Sequence, residues 1–226
     1  MIEVNVKSNI EEFSALASRL SKKQIAKATS DAINKTLLLG RSESRKQVKR
    51  IYNIPNRYLN YIDVKRSKPS NLIGNIFART IPLPMDAFNP VFNQVRNGAI
   101  VGRLRITRRG QLRQSSARGK NATGGVTIEV KKGRKTIVPY AFLLPGSKPR
   151  VFARGDYESG GRYAFVRRHH REVNSNNNDR VTNMLSVTIY GALINNSVLP
   201  TVERRVADNF NRLYENALNR LISNSV

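Results

Sequence analysis

The sequence contains no cysteine and no tryptophan, and only 15 of its 226 residues are aspartate or glutamate. The absence of cysteine excludes disulfide bonds, thiolate metal ligands and cysteine nucleophiles, and it fits a reducing cytoplasm. No apolar run approaches the roughly 20 residues that a membrane-spanning helix needs, and residues 1–7 lack the apolar core of a signal peptide. The sequence therefore predicts no membrane association.

Positive charge dominates what is present. Against the 15 acids stand 40 lysines and arginines, which give a formal net charge of +25 at pH 7. A compact chain with this excess repels itself and attracts polyanions. Since surfaces made only for solubility usually mix both signs, we predict an anionic partner, namely nucleic acid, an acidic protein surface, or both. The hydrophobic fraction of 39% indicates a modest core within one domain, residues 1–226, with faces that become buried on assembly.

Helices are predicted at both ends of the chain. Capping boxes mark helix starts at Asn9 and Ser21, and the second helix runs to about residue 51. Its last part, residues 41–50, is nearly bare of apolar side chains, so it cannot dock on the protein's own core through an apolar stripe. We predict that it is either a solvated helical end or a surface for a partner. Apolar residues at steps of three and four predict a C-terminal helix over residues 199–223.

The middle of the chain alternates apolar and polar residues, which is typical of strands. The order helix, sheet, helix predicts an α+β fold, with a mostly antiparallel sheet or sandwich flanked by a long N-terminal helix and a C-terminal helix. We assign residues 1–62 to an N-terminal helical arm and residues 71–195 to a β-rich core. Within this core, residues 107–125 are rich in Arg, Gln, Ser and Gly, so they predict a long basic loop.

Few residues support catalysis. His169 and His170 are the only histidines, and adjacent side chains on a strand point to opposite faces, so a shared metal site is not expected. Asp156 and Glu158 flank a glycine-rich turn, where turn chemistry explains them; a nuclease would instead use them for acid–base or metal chemistry. We predict no catalytic residue, no metal and no cofactor.

A basic cluster in the middle of the chain is the candidate site for a polyanion or an acidic partner. Clustered cations of this kind are what phosphate binding requires. Residues 93–139 contain no aromatic side chain, so the base stacking of single-strand binders is not expected. Arg103 and Arg105 are predicted to share one strand face, either as an interface or as a solvated surface. The candidate residues are Arg103, Arg105, Arg108, Arg109, Arg113, Arg118, Lys131, Lys132, Arg134 and Lys135.

A second set of cations is the candidate assembly interface. Four of them lie in the polar part of the N-terminal helix, and two lie in a later strand segment. Their charge excess again suits a protein partner or a solvated surface. These residues are Arg45, Lys46, Lys49, Arg50, Arg150 and Arg154.

Several segments together resemble the prophage minor tail protein Z family. Residues 28–36 read ATSDAINKT, which is similar to that family's pattern Ala-Thr-x-x-Ala-Ile/Leu-Asn-Lys/Arg-Thr. Ala192-Leu193 stands where the family usually has Pro-Ser. Further segments in the family's order are residues 44–48 before Ile54-Pro55, 81–83 before Phe88, 138–142, 150–155 and 184–191.

The resemblance implies a structural protein of a tailed-phage virion, made in the host cytoplasm and located at the tail or neck. Such proteins complete the head-proximal end of the tail and support head–tail joining, and related tail components form rings, commonly hexameric. The implied partners are further copies of the chain, the tail tube, the tail terminator and neck or connector proteins. The tape-measure protein or DNA in the channel is a further possible partner. The alternative that the charge leaves open is a non-specific nucleic-acid-binding protein.

Overall fold

The computed structural model describes residues 21–96, 99–106, 111–115, 124–144, 150–157, 165–167 and 181–223. Two long helices carry most of the helical structure of these residues. They are α1 (Lys22–Ile51) and, as the fourth helix in chain order, α4 (Leu199–Ser223); the short helices between them are α2 (Asn56–Leu59) and α3 (Ile189–Leu193). A 3-10 turn spans Met85–Phe88.

The strands form antiparallel sheets, so the α+β prediction with a long helix near each end is confirmed. The hydrogen-bonded orders are β1-β2, β6-β5-β4-β7-β8, β11-β10-β12 with β9 also on β10, and β13-β3. The strands are β1 (Ile62–Lys65), β2 (Asn75–Ala78), β3 (Pro82–Pro84), β4 (Val91–Arg96), β5 (Ala99–Ile106), β6 (Leu112–Ser115), β7 (Gly125–Lys131), β8 (Arg134–Val138), β9 (Ala141–Leu144), β10 (Arg150–Tyr157), β11 (Phe165–Arg167), β12 (Val181–Asn183) and β13 (Leu185–Thr188).

Contacts group the chain into two compact units. Unit 1 holds the four helices with β1 and β2, and unit 2 holds β3 to β13 with residues 52–55. From the sequence we expect a single domain whose β-rich core begins at residue 71. In the structure, β2 (Asn75–Ala78) lies after that residue but belongs to the helical unit 1. None of the helices that the structure describes is long and apolar enough to cross a membrane.

The capping box that predicts the start of α1 is confirmed. The Ser21 amide donates to Gln24 Oε1 at 2.9 Å, and the Gln24 amide donates to Ser21 Oγ at 3.3 Å. These reciprocal bonds satisfy two amides that the first turn of a helix otherwise leaves without partners. The predicted helix start at Asn9 lies outside the described residues.

α1 and α4 pack against each other through their apolar stripes. Ala28, Ala32, Phe210, Tyr214 and Leu218 form one buried cluster. The alanines on α1 leave room for the two aromatic rings of α4, which stack with centroids 5.7 Å apart. Because apolar burial is the main stabilising contribution to folding, this cluster ties the two ends of unit 1 together.

The polar part of α1 is docked, so the prediction for residues 41–50 is wrong. Ser44, Gln47 and Val48 are all buried. Arg45 Nη2 also donates to the carbonyl of Ile62 in β1 at 2.9 Å. This part of α1 has no apolar stripe. It packs instead through small side chains such as Ser44 and through the hydrogen bond of Arg45.

Gly40 explains how this part of α1 approaches its neighbours. A Cβ atom at this position would lie 2.7 Å from Ile76 Cδ1 and 2.8 Å from Val206 Cγ2. Only a residue without a side chain admits both groups at once. The glycine that interrupts the helical pattern in sequence is therefore a point of close packing in unit 1.

Asn34 fastens the segment after β1 to the helix. Its side chain accepts a hydrogen bond from the Ser67 amide at 2.8 Å and donates to the Ser67 carbonyl at 3.2 Å. The Ser67 hydroxyl is buried against Ser30, with the two oxygen atoms 3.1 Å apart. Within residues 28–36, the two alanines thus pack on α4, and the asparagine holds the segment around Ser67.

Candidate functional site

The basic face of unit 2 is built on β5. Arg103 and Arg105 are exposed, while Gly102 and Ile106 are buried. This alternation follows from the two-residue period of a strand. Val126, Ile128 and Val138 are also buried, so the neighbouring strands contribute to the same core. One side of the sheet is therefore apolar and packed, and the other presents cations to solvent.

The strand register brings a further arginine to this face. Arg105 pairs directly with Arg113 of β6, so the two side chains project from the same side of the sheet. On the other flank Arg105 pairs with Val91, which in turn pairs with Thr127. Arg113 thus belongs to a strand, although residues 107–125 were predicted to be a loop.

Arg103 is held in place by an asparagine. It pairs with Asn93 of β4, and Arg103 Nε donates to Asn93 Oδ1 at 3.1 Å. This bond leaves the two terminal nitrogens of the guanidinium available for a ligand. Sequence reasoning missed Asn93, because its proximity to Arg103 depends on the pairing register, which no local pattern reveals.

Asn93, Arg103 and Arg105 line a concavity of about 450 Å³, and Arg113 is the cross-strand partner of Arg105. Within the part of the chain that the structure describes, the side chains of Arg105, Arg113 and Lys135 make no hydrogen bond or ion pair. The one carboxylate in the lining, Glu129, accepts a hydrogen bond from the Gly133 amide at 2.8 Å. The lining residues are Asn89, Val91, Asn93, Arg103, Arg105, Thr127, Ile128, Glu129 and Lys135.

Three other predicted cations lie at the end of the β7–β8 hairpin. Lys131 pairs with Arg134, and between them Lys132 and Gly133 form the tight turn. Lys131, Lys132 and Arg134 are exposed, with the Lys131 ammonium 5.7 Å from the ring centre of Tyr52. Burial raises the pKa of the Tyr52 phenol, so this tyrosine stays neutral beside the cation at physiological pH.

The candidate assembly residues occupy separate places. Lys46, Lys49 and Arg50 are exposed near the carboxyl end of α1, where cations interact favourably with the helix dipole. Arg45 is partly buried by its bond to β1. Arg150 and Arg154 are exposed on β10, which belongs to a different sheet from β5. Four of these residues thus belong to unit 1 and two belong to unit 2.

Some predicted residues lie outside the described ranges, namely Arg108, Arg109, Arg118, Glu158, His169 and His170. Asp156 lies in β10, where it pairs with Val166 of β11. Among the residues that are described, no group of three or more His, Asp or Glu side chains is placed to hold a metal ion.

The position of Tyr157 is fixed by its environment. Its ring meets Phe165 edge-on, with centroids 5.2 Å apart, and its hydroxyl accepts a hydrogen bond from the Leu185 amide. Burial raises the pKa of this phenol, although the bond from Leu185 acts in the opposite direction. We interpret this tyrosine as a structural link between β10 and β13.

Comparison of the chain with protein-family models, with curated proteins and with solved structures finds no match.

Proposed function

We propose that the protein is a structural, non-catalytic component of a tailed-phage virion, of the tail-completion type, which assembles as a ring at the head-proximal end of the tail. The observation that carries the proposal is the one-sided basic face of unit 2, where Arg103, Arg105 and Arg113 project from adjacent strands. Such a face suits a subunit that meets a fixed anionic partner in a particle. The order of the tail protein Z motifs along the chain supports the same role.

Self-association is supported by an exposed apolar row in unit 1. Ile73, Phe77 and Ile81 are 65%, 42% and 59% exposed, respectively. Gly74 and Ile76, which lie between Ile73 and Phe77 in sequence, are buried against α1. Exposed apolar patches are common at protein–protein contacts. We assign this row to the contact between copies of the chain.

Phe77→Asp should convert the assembled protein into smaller species. The new carboxylate would be placed in the apolar contact and would lie opposite Asp63, while the core of unit 1 is untouched. Mass measurement of the purified protein by light scattering tests this. Thr80→Asp, a substitution at an exposed residue of the same segment, is the control and should leave the mass unchanged. A wild-type protein that is monomeric at all concentrations would contradict the ring assignment.

Charge reversal on the basic face should abolish attachment to tails. The double variant Arg105→Glu, Arg113→Glu is expected to reduce the joining of tails to heads by about tenfold or more, because two buried charge pairs at an interface would be lost. The control is Arg204→Glu, Arg205→Glu, which makes the same change in net charge on the exposed side of α4. Tails that lack the protein are mixed with each variant, and the joined particles are counted by electron microscopy. Equal joining by both variants would refute the role of this face.

A nucleic-acid-binding protein that acts outside a particle is the second candidate, and the same basic face favours it. This candidate predicts DNA binding by a protein that ignores tails. The mixing experiment separates the two functions, because only the first predicts added density at the head-proximal tail end.

A further inference from the structure

We infer that the basic face, at the concavity and at the Arg105–Arg113 pair, binds the phosphate groups of a nucleic-acid backbone without regard to sequence, and that Asn93 positions Arg103 for this contact. The inference rests on the proposed function, since it names the partner of the same face.

The cross-strand arginine pair is the first observation. Arg105 and Arg113 are direct partners on adjacent antiparallel strands, so their Cβ atoms are about 5 Å apart. Like charges at this position destabilise a sheet, and neither guanidinium has a partner among the described residues. An oxyanion seated between them would remove the repulsion and accept hydrogen bonds from both. The pair is therefore unfavourable in the free protein and favourable in a complex.

The spacing of the cations is the second observation. Arg103 and Arg105 are two residues apart on one strand, which places them about 7 Å apart, and Arg113 extends the set across the sheet. A nucleic-acid strand carries negative charge at close, regular intervals along its whole length. Wherever the strand is shifted along its own axis, some of its phosphates therefore lie near these cations. An acidic protein surface would need carboxylates at matching positions.

The remaining lining groups favour contact with backbone rather than with bases. Asn93 and Thr127 are neutral polar residues in the lining, and such side chains commonly contact phosphate and sugar. The described lining contains no aromatic ring, so the stacking on which single-strand binders rely is missing there. We therefore assign the backbone of a duplex as the ligand.

Glu129 forms no ion pair with the arginines among the described residues. It is the only carboxylate among the described lining residues, and its hydrogen bond to the Gly133 amide fixes it at the hairpin end. This bond holds the negative charge at the hairpin end of the lining, so the arginines stay available to an external anion.

The test is binding of a short fluorescent duplex DNA, measured by anisotropy at about 50 and 200 mM NaCl. The double variant Arg105→Gln, Arg113→Gln should lose two phosphate contacts. We expect its salt slope, log K against log salt, to be flatter by about 1.8, and its affinity at the lower salt to fall roughly tenfold or more. The melting temperature of the free variant should be equal to or higher than that of the wild type, because the repulsive pair is gone.

Two further variants distinguish the effect of arginine position on DNA binding from the effect of net charge. Arg204→Gln, Arg205→Gln removes the same charge from α4 and should change the slope by less than about 0.5. Asn93→Ala leaves the net charge unchanged and frees Arg103, so it should weaken binding by roughly threefold to tenfold, a change of about 1 kcal/mol. Equal losses in both double variants, or full affinity in Asn93→Ala, would overturn the inference, because binding would then depend on total charge alone.

The outcome also separates this inference from the proposed function. If the wild type fails to bind duplex DNA at low salt while Arg105→Glu, Arg113→Glu still abolishes tail joining, the backbone assignment is wrong and the partner is an acidic protein. If DNA is bound through the arginine pair but tails are ignored, the inference stands and the virion role is wrong.

Discussion

Replacement of Gly125 by alanine is expected to destabilise unit 2 by about 3 kcal/mol or more. Gly125 begins β7 with a φ of +124°, a conformation that residues with a side chain rarely adopt. An added Cβ atom would lie 2.5 Å from the carbonyl oxygen of Val138 and 2.6 Å from the Cα of Pro139. Both are backbone atoms of the neighbouring chain segment, so they cannot rotate away as a side chain would.

The effect should be localised by hydrogen exchange. Amides of β4, β7 and β8 are expected to lose protection in Gly125→Ala, because β7 is the strand between β4 and β8. The matched control is Gly133→Asn. Gly133 also has a positive φ of +75°, but nothing lies within 4 Å of its added Cβ, and asparagine tolerates this conformation. A loss of more than about 1 kcal/mol in the control would show that the crowding argument is wrong.

This glycine also matters for the basic face. Gly125 pairs with Asn93, the residue that holds Arg103. Distortion of β7 would therefore displace the positioning residue together with the sheet. Any variant at Gly125 that still folds should bind duplex DNA less tightly than the wild type, in the same direction as Asn93→Ala.

Phe210→Ala is expected to cost unit 1 about 3–5 kcal/mol, the usual range for removing a buried phenylalanine. Phe210 is only 2% exposed, and its ring stacks on Tyr214 within the cluster that includes Ala28 and Ala32. The two alanines are too small to fill the space that the missing ring would leave. Most of the cavity should therefore remain, and its cost adds to the lost burial.

Urea unfolding followed by far-ultraviolet circular dichroism measures this loss, because α1 and α4 supply most of the described helical residues. The control on the same helix is Asn211→Ala, an exposed neighbour whose replacement should change the free energy of unfolding by less than about 0.5 kcal/mol. A midpoint for Phe210→Ala that matches the control would mean that the α1–α4 contact does not stabilise the unit.

The ion pair between Arg41 and Asp63 contributes much less to the free energy of unfolding than these buried contacts. The Asp63 carboxylate accepts hydrogen bonds from the Val64 amide and from Arg41 Nη1, and these lower its pKa below the usual value. Because the folded-state pKa is lowered, the resulting stability is present above the unfolded pKa and is lost as the pH falls through the folded value. The carboxylate is exposed to solvent, so screening keeps the contribution small.

Local patterns in the sequence were sufficient to locate several elements. The Ser21 capping box marks the start of α1, and the apolar period of three and four places the buried Val202, Val206 and Phe210 on one side of α4. Alternation in β5 separates Arg103 and Arg105 from the core. Each of these features depends on residues within one or two turns of helix or within a single strand, where backbone geometry alone relates sequence position to direction.

Pairing between distant segments was decided only by the tertiary structure. Arg113 joins the basic face because β6 pairs with β5, although its surroundings in sequence have the composition of a loop. Asn93 reaches Arg103, and Asn34 reaches Ser67, through contacts over 10 and 33 residues. The polar part of α1 docks because Gly40 and Ser44 permit close approach. Register and close packing are properties of two surfaces at once, so the pattern of one segment does not determine them.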